Sequence, residues 1–390
     1  MKLMLISDPS SIHTRNWIDG LQAKGIDVDT LFIKDWILRK EQLPELIEKS
    51  TTLIEVPSFS GLVGSSLRSR SFASLFKDVR YGTRMHQTVR LVGQRIKRIA
   101  EEREIDIIHA HGLASSIFLA YSSGIKPYSA SAWGSDIYVM PDRYPYLQPL
   151  MARAISQADF IHVESEISAD RVRLLSSSGY DKLFVSSWGV DTSEYIPNAR
   201  RTSFVEQIPQ AYVLSFRSLE SLYRIDVIIR AFAIISRQVN DVLLVIGSDG
   251  SSRRQLEEIT RSLGIENRVI FTGFVSIDDK ISLFSNALLY VQCPESDGVS
   301  LAMTEAMSSG LPLVSTNVGE TPVLIQNGEN GMLIDGYDPQ RLAEAILPIL
   351  QDSALRKRMG ENSRKTAIEK HDRSKFFQSF VEALEAAIEK

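Results

Sequence analysis

Short apolar runs and longer amphipathic stretches alternate along almost the whole chain. The runs "KLMLIS" (2–7), "DVDTLFI" (27–33), "DIIHAH" (106–111), "PYSASAW" (127–133), "FIHVES" (160–165) and "KLFVSSW" (182–188) read as strands. A second series follows: "YVLSF" (212–216), "DVLLVIGS" (241–248), "NRVIFTG" (267–273), "ALLYVQ" (287–292), "PLVST" (312–316) and "GMLID" (331–335). Between them, "HTRNWIDGLQAKG", "DVIIRAFAIISRQ" and "RRQLEEITRSLG" place apolar residues at helical spacing. Strands joined by helices of this length form right-handed βαβ units, hence parallel sheets flanked by helices.

These strands are too many for one comfortable sheet. The polar, proline-bearing stretch "YIPNARRTSFVEQIPQA" (195–211) divides them about evenly. The pattern therefore predicts an α/β chain of two Rossmann-like domains, 1–198 and 203–370. The final helix, about 372–390, carries Phe377, Phe380, Val381, Leu384 and Ala387 at helical spacing and is expected to pack back on the first domain. Ligands of doubly wound sheets bind beyond the carboxyl ends of the strands, so a central cleft between two facing domains is the expected site.

Composition narrows this reading without redirecting it. The chain has 390 residues, 44% hydrophobic and 24% charged, which fits ordinary folded domains. A net charge of -4 is too mild to imply nucleic acid. The single cysteine, Cys293, forms no internal disulfide, which fits a reducing compartment; its place in "LLYVQCP" marks it as buried filler. No run approaches the roughly 18 apolar residues of a membrane span, and "MKLMLISD" loses its apolar character at Asp8, too early for a signal peptide. The expected location is cytoplasmic. Residues 56–100 hold Arg68, Arg70, Lys77, Arg80, Arg84, Arg90, Arg95, Lys97 and Arg98 against one acid, Asp78, and allow two readings: a solvated helix face that pairs with acids elsewhere, or a surface for peripheral contact with an anionic membrane.

The chemistry concentrates in "ESDGVSLAMTEAMSSGLPLV". A polar loop, "CPESDGVS", leads to a helix "LAMTEAMSS" with Ser300 as its N-cap and Gly310 and Pro312 as its stop. The amide N–H groups at such a start suit phosphate or hydroxyl oxygens, and Gly298 lets a ligand approach the backbone. Asp297 and Glu295 stand eight and ten positions before Glu305, and helical periodicity does not choose between them.

This segment resembles the signature of retaining glycosyltransferases of the GT-B fold, family GT4. That pattern is a Glu, a glycine-rich turn, seven intervening residues to a second Glu followed by Ala-Met, then Gly-x-Pro-hydrophobic. "DGVSLAMTEAMSSGLPLV" matches it with Asp297 at the first acidic position and Glu305 at the second; Glu295 falls outside the register. The resemblance implies that Asp297 and the N–H groups of Gly298, Val299, Ser300 and Leu301 hold the donor-sugar hydroxyls. It gives Glu305 the nucleotide ribose diol, since an acceptor-only carboxylate takes two O–H bonds from adjacent hydroxyls.

Other matches span most of the chain. "VLSFRSLE" is similar to the strand and Gly-Arg of the family and implies Arg217 on the pyrophosphate, where a guanidinium suits developing charge. "LLVIGSDG" implies Gly247 near the nucleotide, and "RVIFTGFV" implies Thr272 and Gly273 near the base. "NVGETPVLIQNGENGMLID" resembles the segment after the second Glu. "DIIHAH", "WGSDI" and "WGVDTSEYIP" resemble the family's Asp-x-x-His-x-His, His-Gly-x-Asp and Gly-Val-Asp-x-x-x-Phe-x-Pro stretches.

The departures are specific. Asp297 is a methylene shorter than Glu. The Lys expected a few residues after Arg217 is missing, and "RSLESLYRID" offers Tyr223 and Arg224 instead. Trp133 stands where a His precedes Gly-x-Asp, and "SDPSSIHTRNW" has no Gly-Gly loop. On the acceptor side the reading names His13, Arg15, Trp133 and Asp136. His109 and His111 are read as facing opposite sides of one strand, sharing no metal. The pair Asp27 and Asp29 is read as strand alternation and edge solvation.

Together these imply a metal-independent, retaining glycosyltransferase with no cofactor beyond its nucleotide-diphosphate-sugar co-substrate. Arg217, Asp297 and Glu305 are its expected catalytic residues. Its acceptor would be a glycan, a lipid-linked glycan or a small molecule, in the manner of polysaccharide biosynthesis. The rival readings are a nucleotide-sugar epimerase on the same fold and a GT-B binding protein without turnover.

Overall fold

The computed structural model describes residues 1–7, 11–33, 51–54, 82–176 and 180–390. The chain divides into two compact units, Met1–Ser186 with Phe377–Lys390, and Ser187–Phe376. The first holds a seven-stranded sheet of β1 (Lys2–Ile6), β2 (Asp27–Ile33), β3 (Thr51–Ile54), β4 (Ile107–His111), β5 (Tyr128–Ser131), β6 (Phe160–Val163) and β7 (Leu183–Val185), in the order β3-β2-β1-β4-β5-β6-β7. The second holds a six-stranded sheet of β8 (Ala211–Phe216), β9 (Val242–Gly247), β10 (Val269–Gly273), β11 (Leu289–Val291), β12 (Leu313–Thr316) and β13 (Gly331–Ile334), in the order β10-β9-β8-β11-β12-β13. Every strand pair is parallel. Edge strand β3, "TTLI", escapes sequence reading because four residues are too few to display a period of two.

Both sheets reverse their winding at one place, between β1 and β4 and between β8 and β11. The chain leaves these strand ends in opposite directions, so each unit carries a crevice there. Strand β9, "VLLVIG", lies inside the second sheet and is apolar and buried along its whole length. Its alternate side chains feed two cores, Leu244 and Ile246 on one face of the sheet, Leu243 and Val245 on the other.

The last helix, Arg373–Ile388, buries Phe377, Phe380, Val381, Leu384 and Ala387, and from Phe377 onward it belongs to the first unit. The Phe377 ring lies where a side chain at Gly20 would start, only 2.0 Å from an ideal Cβ. Trp17, fully buried on the helix Ile12–Gln22, meets Phe377 and Phe380 edge-on at 5.6 and 4.9 Å. Phe380 also meets His109 at 5.0 Å.

His109 and His111 do not face opposite sides. Residues two apart on a strand share a face, and their rings lie edge-to-face at 5.4 Å. His109 bonds Ser129 and Ser131 at 2.8 and 2.9 Å, His111 Nδ1 bonds Ser7 at 2.8 Å, and His162 spans Ser131 and the Ser186 carbonyl at 2.9 and 2.7 Å. Burial, reinforced by His162 and His13, pushes His111 down to about 3; burial pushes His162 to about 4 and His109 well below its ordinary value. Among the described residues no group of three or more His, Cys, Asp or Glu is placed to hold a metal ion.

Stability should therefore fall with acidification. Below the unfolded value near 6.5 the unfolded chain takes up protons that these rings refuse, costing about 1.4 kcal/mol per pH unit for each ring. The loss should continue until each folded value is reached. Melting of His111→Asn, which keeps the acceptor or donor toward Ser7, should depend less steeply on pH between 6.5 and 4 than melting of wild type. Equal slopes would show that His111 does not contribute.

Asp29 is not a solvated edge residue. Strand β2 lies between β3 and β1, and Asp29 is buried, with both carboxylate oxygens on Arg103 at 2.7 and 2.5 Å. Cys293 is buried in the second unit's core. Of the basic stretch 56–100, residues 56–81 lie outside the described residues. In the helix Gly82–Glu102, Val92, Ile96 and Ala100 are buried, while Arg90, Leu91, Arg95, Lys97 and Arg98 are exposed. Among the described residues no helix is long and apolar enough to cross a membrane.

Candidate active site

Polar residues gather where the second sheet reverses. Strand β8 hands the chain to Arg217, and β11 hands it to Gln292. The loop then reaches Ser300, the N-cap of the helix Leu301–Ser308. Ser300 does not cap with its side chain. Its Oγ accepts from Arg217 Nη1 at 2.5 Å and donates to Gln292 Oε1 at 3.3 Å. Arg217 Nη2 donates to Asp297 Oδ1 at 3.1 Å, and Gln292 Nε2 donates to Asp297 Oδ2 at 3.3 Å. Arg217, Ser300, Gln292 and Asp297 thus close a ring of hydrogen bonds.

The ring is largely dry: the Arg217 and Asp297 side chains are 12% and 13% exposed. Burial pushes the Asp297 carboxyl up, while Arg217, Gln292 and the Gly298 N–H pull it back. Burial works against the Arg217 charge more than any single neighbour favours it, but Asp297, Tyr290 and Tyr223 together raise the guanidinium above its ordinary value. The Tyr223 ring covers the guanidinium at 4.1 Å, a cation–π contact at the position where a second cation was expected.

The loop after β12 fixes the Asp297 backbone. Glu320 N–H donates to the Asp297 carbonyl at 3.1 Å, and Gly319 stands so close that an ideal Cβ would lie 2.1 Å from that oxygen. At φ +51, Gly319 also occupies the left-handed region.

Glu305 lies on the helix itself, 3% exposed. Its Oε1 accepts from Lys280 Nζ at 2.6 Å and from the Tyr195 hydroxyl at 3.0 Å. Burial first, and then the Glu305 charge, raise the Tyr195 hydroxyl pKa, so it stays an O–H donor. Glu305 Oε2 is buried and accepts from no described residue. Lys280, on the helix Ile277–Asn286, stands 5.3 Å from the centre of the Phe216 ring.

The other expected donor residues surround this core. The Phe216 ring lies 2.1 Å from where Gly247 would place a Cβ, so packing alone fixes that glycine. Thr272 Oγ1 donates to the Gly273 carbonyl at 2.8 Å, and Ser248 N–H donates to the same carbonyl at 3.0 Å, tying the ends of β10 and β9. Around Gly298 no described atom comes within 4 Å of an ideal Cβ. Val299 and Leu301 flank Ser300. Arg224 holds Asp226 and Glu295, each at 3.2 Å, so the acid outside the register anchors a loop.

In the first unit the structure gathers three of the four expected acceptor residues beyond β1, β4 and β5. His13 and Trp133 rings lie 5.6 Å apart, and His111 meets Trp133 at 5.0 Å. Asp136 accepts from the Trp133 N–H at 2.8 Å and the Leu113 N–H at 2.6 Å, bracing the loops after β5 and β4. Arg15 lies on the first turn of the helix Ile12–Gln22, exposed.

The family models agree with this arrangement. Residues 199–366 match the model described as "Glycosyl transferases group 1", and residues 2–165 match "Glycosyl transferase 4-like". The chain belongs to the group 1 glycosyltransferases. Among its relatives, N-acetyl-alpha-D-glucosaminyl L-malate synthase of Bacillus anthracis is 25% identical over 303 residues, 74% of this chain and 77% of that one. D-inositol 3-phosphate glycosyltransferase of Corynebacterium diphtheriae is 28% identical over 219 residues, 53% of this chain and 51% of that one. Of solved structures, Anabaena HepE in complex with UDP matches with a TM-score of 0.77 at 18% identity, covering 99% of each chain. Sucrose-phosphate synthase from Thermosynechococcus elongatus matches with a TM-score of 0.75 at 19% identity, covering 99% of this chain and 100% of that one. These likenesses show the GT-B fold.

Sequence reading missed four residues of this glycosyltransferase's site. Gln292 closes the apolar run "ALLYVQ", where a lone amide was the available signal; the structure buries it fully. Tyr195 occupies the Phe position of Gly-Val-Asp-x-x-x-Phe-x-Pro, and its added hydroxyl is what reaches Glu305. Lys280 and Gly319 carry no local signal, because their partners lie far along the chain.

Proposed function

We propose that the protein transfers a sugar from a nucleotide-diphosphate donor to an acceptor hydroxyl, with retention of configuration, as a GT4 enzyme. The observation that carries this reading is the closed ring of Arg217, Ser300, Gln292 and Asp297 in the crevice of the second sheet, with Glu305 on the adjoining helix. Asp297 would orient the donor-sugar hydroxyls together with the N–H groups of Gly298, Val299, Ser300 and Leu301. Arg217, a preorganised donor in a water-poor site, would stabilise charge on the departing diphosphate without a metal. Glu305 would take the ribose, and the backbone at Thr272 and Gly273, with Gly247, the base side. Arg224 would steady the loop through Glu295.

Solved relatives described in complex with UDP, with UDP and glucose, and with UDP-glucose support a nucleotide-sugar donor. His13, Arg15, Trp133 and Asp136 would serve a glycan, lipid-linked or small-molecule acceptor. The exposed row Arg90, Arg95, Lys97 and Arg98 would meet anionic lipid where the acceptor is membrane-borne.

One observation favours a second reading, a nucleotide-binding protein without turnover: Tyr223 takes the place of a cation beside Arg217. A panel of UDP-, GDP- and ADP-sugars separates the two. Transfer or slow donor hydrolysis is expected with one donor class, and Glu305→Ala should lower donor kcat/KM by about tenfold or more. Tight nucleotide binding with no product in the presence of glycan and lipid-linked acceptors would favour the second reading. No nucleotide binding at all would sink both.

A further inference from the structure

Glu305 has one oxygen open rather than two. A carboxylate oxygen accepts about two hydrogen bonds, and Oε1 already takes Lys280 Nζ and the Tyr195 hydroxyl. Oε2 is buried with no described partner, a costly arrangement for a carboxylate unless a ligand completes it. The ammonium that compensates the Glu305 charge carries three N–H groups, of which one is spent on Oε1. It is flanked by the rings of Phe216 and Phe284, centred 5.3 and 5.9 Å away, and its side chain is only 20% exposed.

We propose that Lys280 and Glu305 together read a pair of adjacent hydroxyls. One hydroxyl donates to Glu305 Oε2, and the oxygen of its neighbour accepts from Lys280 Nζ. The ligand class is a vicinal diol next to a diphosphate. Resting on the donor reading above, the inference makes these the ribose hydroxyls, and it makes Lys280 a binding residue with Tyr195 positioning the carboxylate. A lone carboxylate would treat the two hydroxyls alike, whereas this pair treats one as a donor and the other as an acceptor.

Calorimetric binding of UDP, GDP and ADP, and of the 2′-deoxy and 3′-deoxy forms of whichever binds, tests this. Wild type should prefer the ribonucleotide to each deoxy form by about tenfold. Lys280→Met should lose about tenfold on the ribonucleotide but almost nothing on one deoxy form, so that one preference collapses while the other survives. Lys280→Arg should restore part of the loss.

Because Lys280→Met strands a buried carboxylate, its melting temperature is measured alongside. The double variant Lys280→Met with Glu305→Gln removes both charges and should fold, with both preferences weakened. Wild-type preferences in a folded Lys280→Met protein would reduce Lys280 to a structural counter-ion and overturn the inference. Failure of wild type to bind any of the three diphosphates is a different result: it overturns the donor reading, and this inference with it.

Discussion

Replacing Arg217 with lysine should lower turnover by about 10²- to 10³-fold while leaving the protein folded. The guanidinium bonds Ser300 through one nitrogen and Asp297 through another, with its face against Tyr223. An ammonium keeps the charge but cannot make both bonds in one plane or stack equally well. If Arg217 meets the diphosphate, Arg217→Lys should weaken nucleoside diphosphate binding more than nucleoside monophosphate binding. Equal weakening of both would move Arg217 away from the diphosphate. Arg217→Ala is the less informative variant, because an unpaired buried Asp297 costs about 3–5 kcal/mol of stability on its own.

The second large effect is expected from Gly319→Ala. A methyl there would stand 2.1 Å from the Asp297 carbonyl oxygen, and the residue would have to keep a left-handed backbone, which costs about 1–2 kcal/mol. The loop after β12 and the loop bearing Asp297 cannot both remain in place. Since a displacement of about 1 Å can cost 10²-fold, transfer should fall by about that factor although no polar group is removed. Gly336→Ala is the matched control: φ is +77, yet no described atom lies within 4 Å of its ideal Cβ. It should cost stability alone, read as a lower melting temperature with unchanged turnover per folded molecule. Similar turnover losses in the two variants would refute the role given to Gly319.

Much of this architecture was legible because strand period and helix punctuation are local. "VLLVIG", short and rich in branched residues, read as a covered strand, and Ser300 with Gly310 bracketed the helix "LAMTEAMSS". Local rules stop where partners are distant. Nothing in "SIDDKISLF" announces that Lys280 meets a carboxylate twenty-five positions on, and nothing in "NVGET" announces that its glycine presses on Asp297. Arg224 was read as a stand-in for the missing Lys; its guanidinium is engaged by Asp226 and Glu295, while an aromatic ring takes the place beside Arg217. The histidine strand shows a different failure: the period of two was available but misapplied, and the edge-to-face contact of His109 and His111 corrects it.

The return of the last helix to the first unit constrains the order of events during synthesis. Trp17, His109 and Gly20 receive their neighbours Phe377 and Phe380 only after the whole second unit has left the ribosome. Until then the first sheet exposes an aromatic face that is sealed in the finished protein. No single cut yields two complete halves, and a fragment ending near Ser186 should be prone to self-association. Supplying residues 373–390 as a separate peptide is the natural way to relieve it.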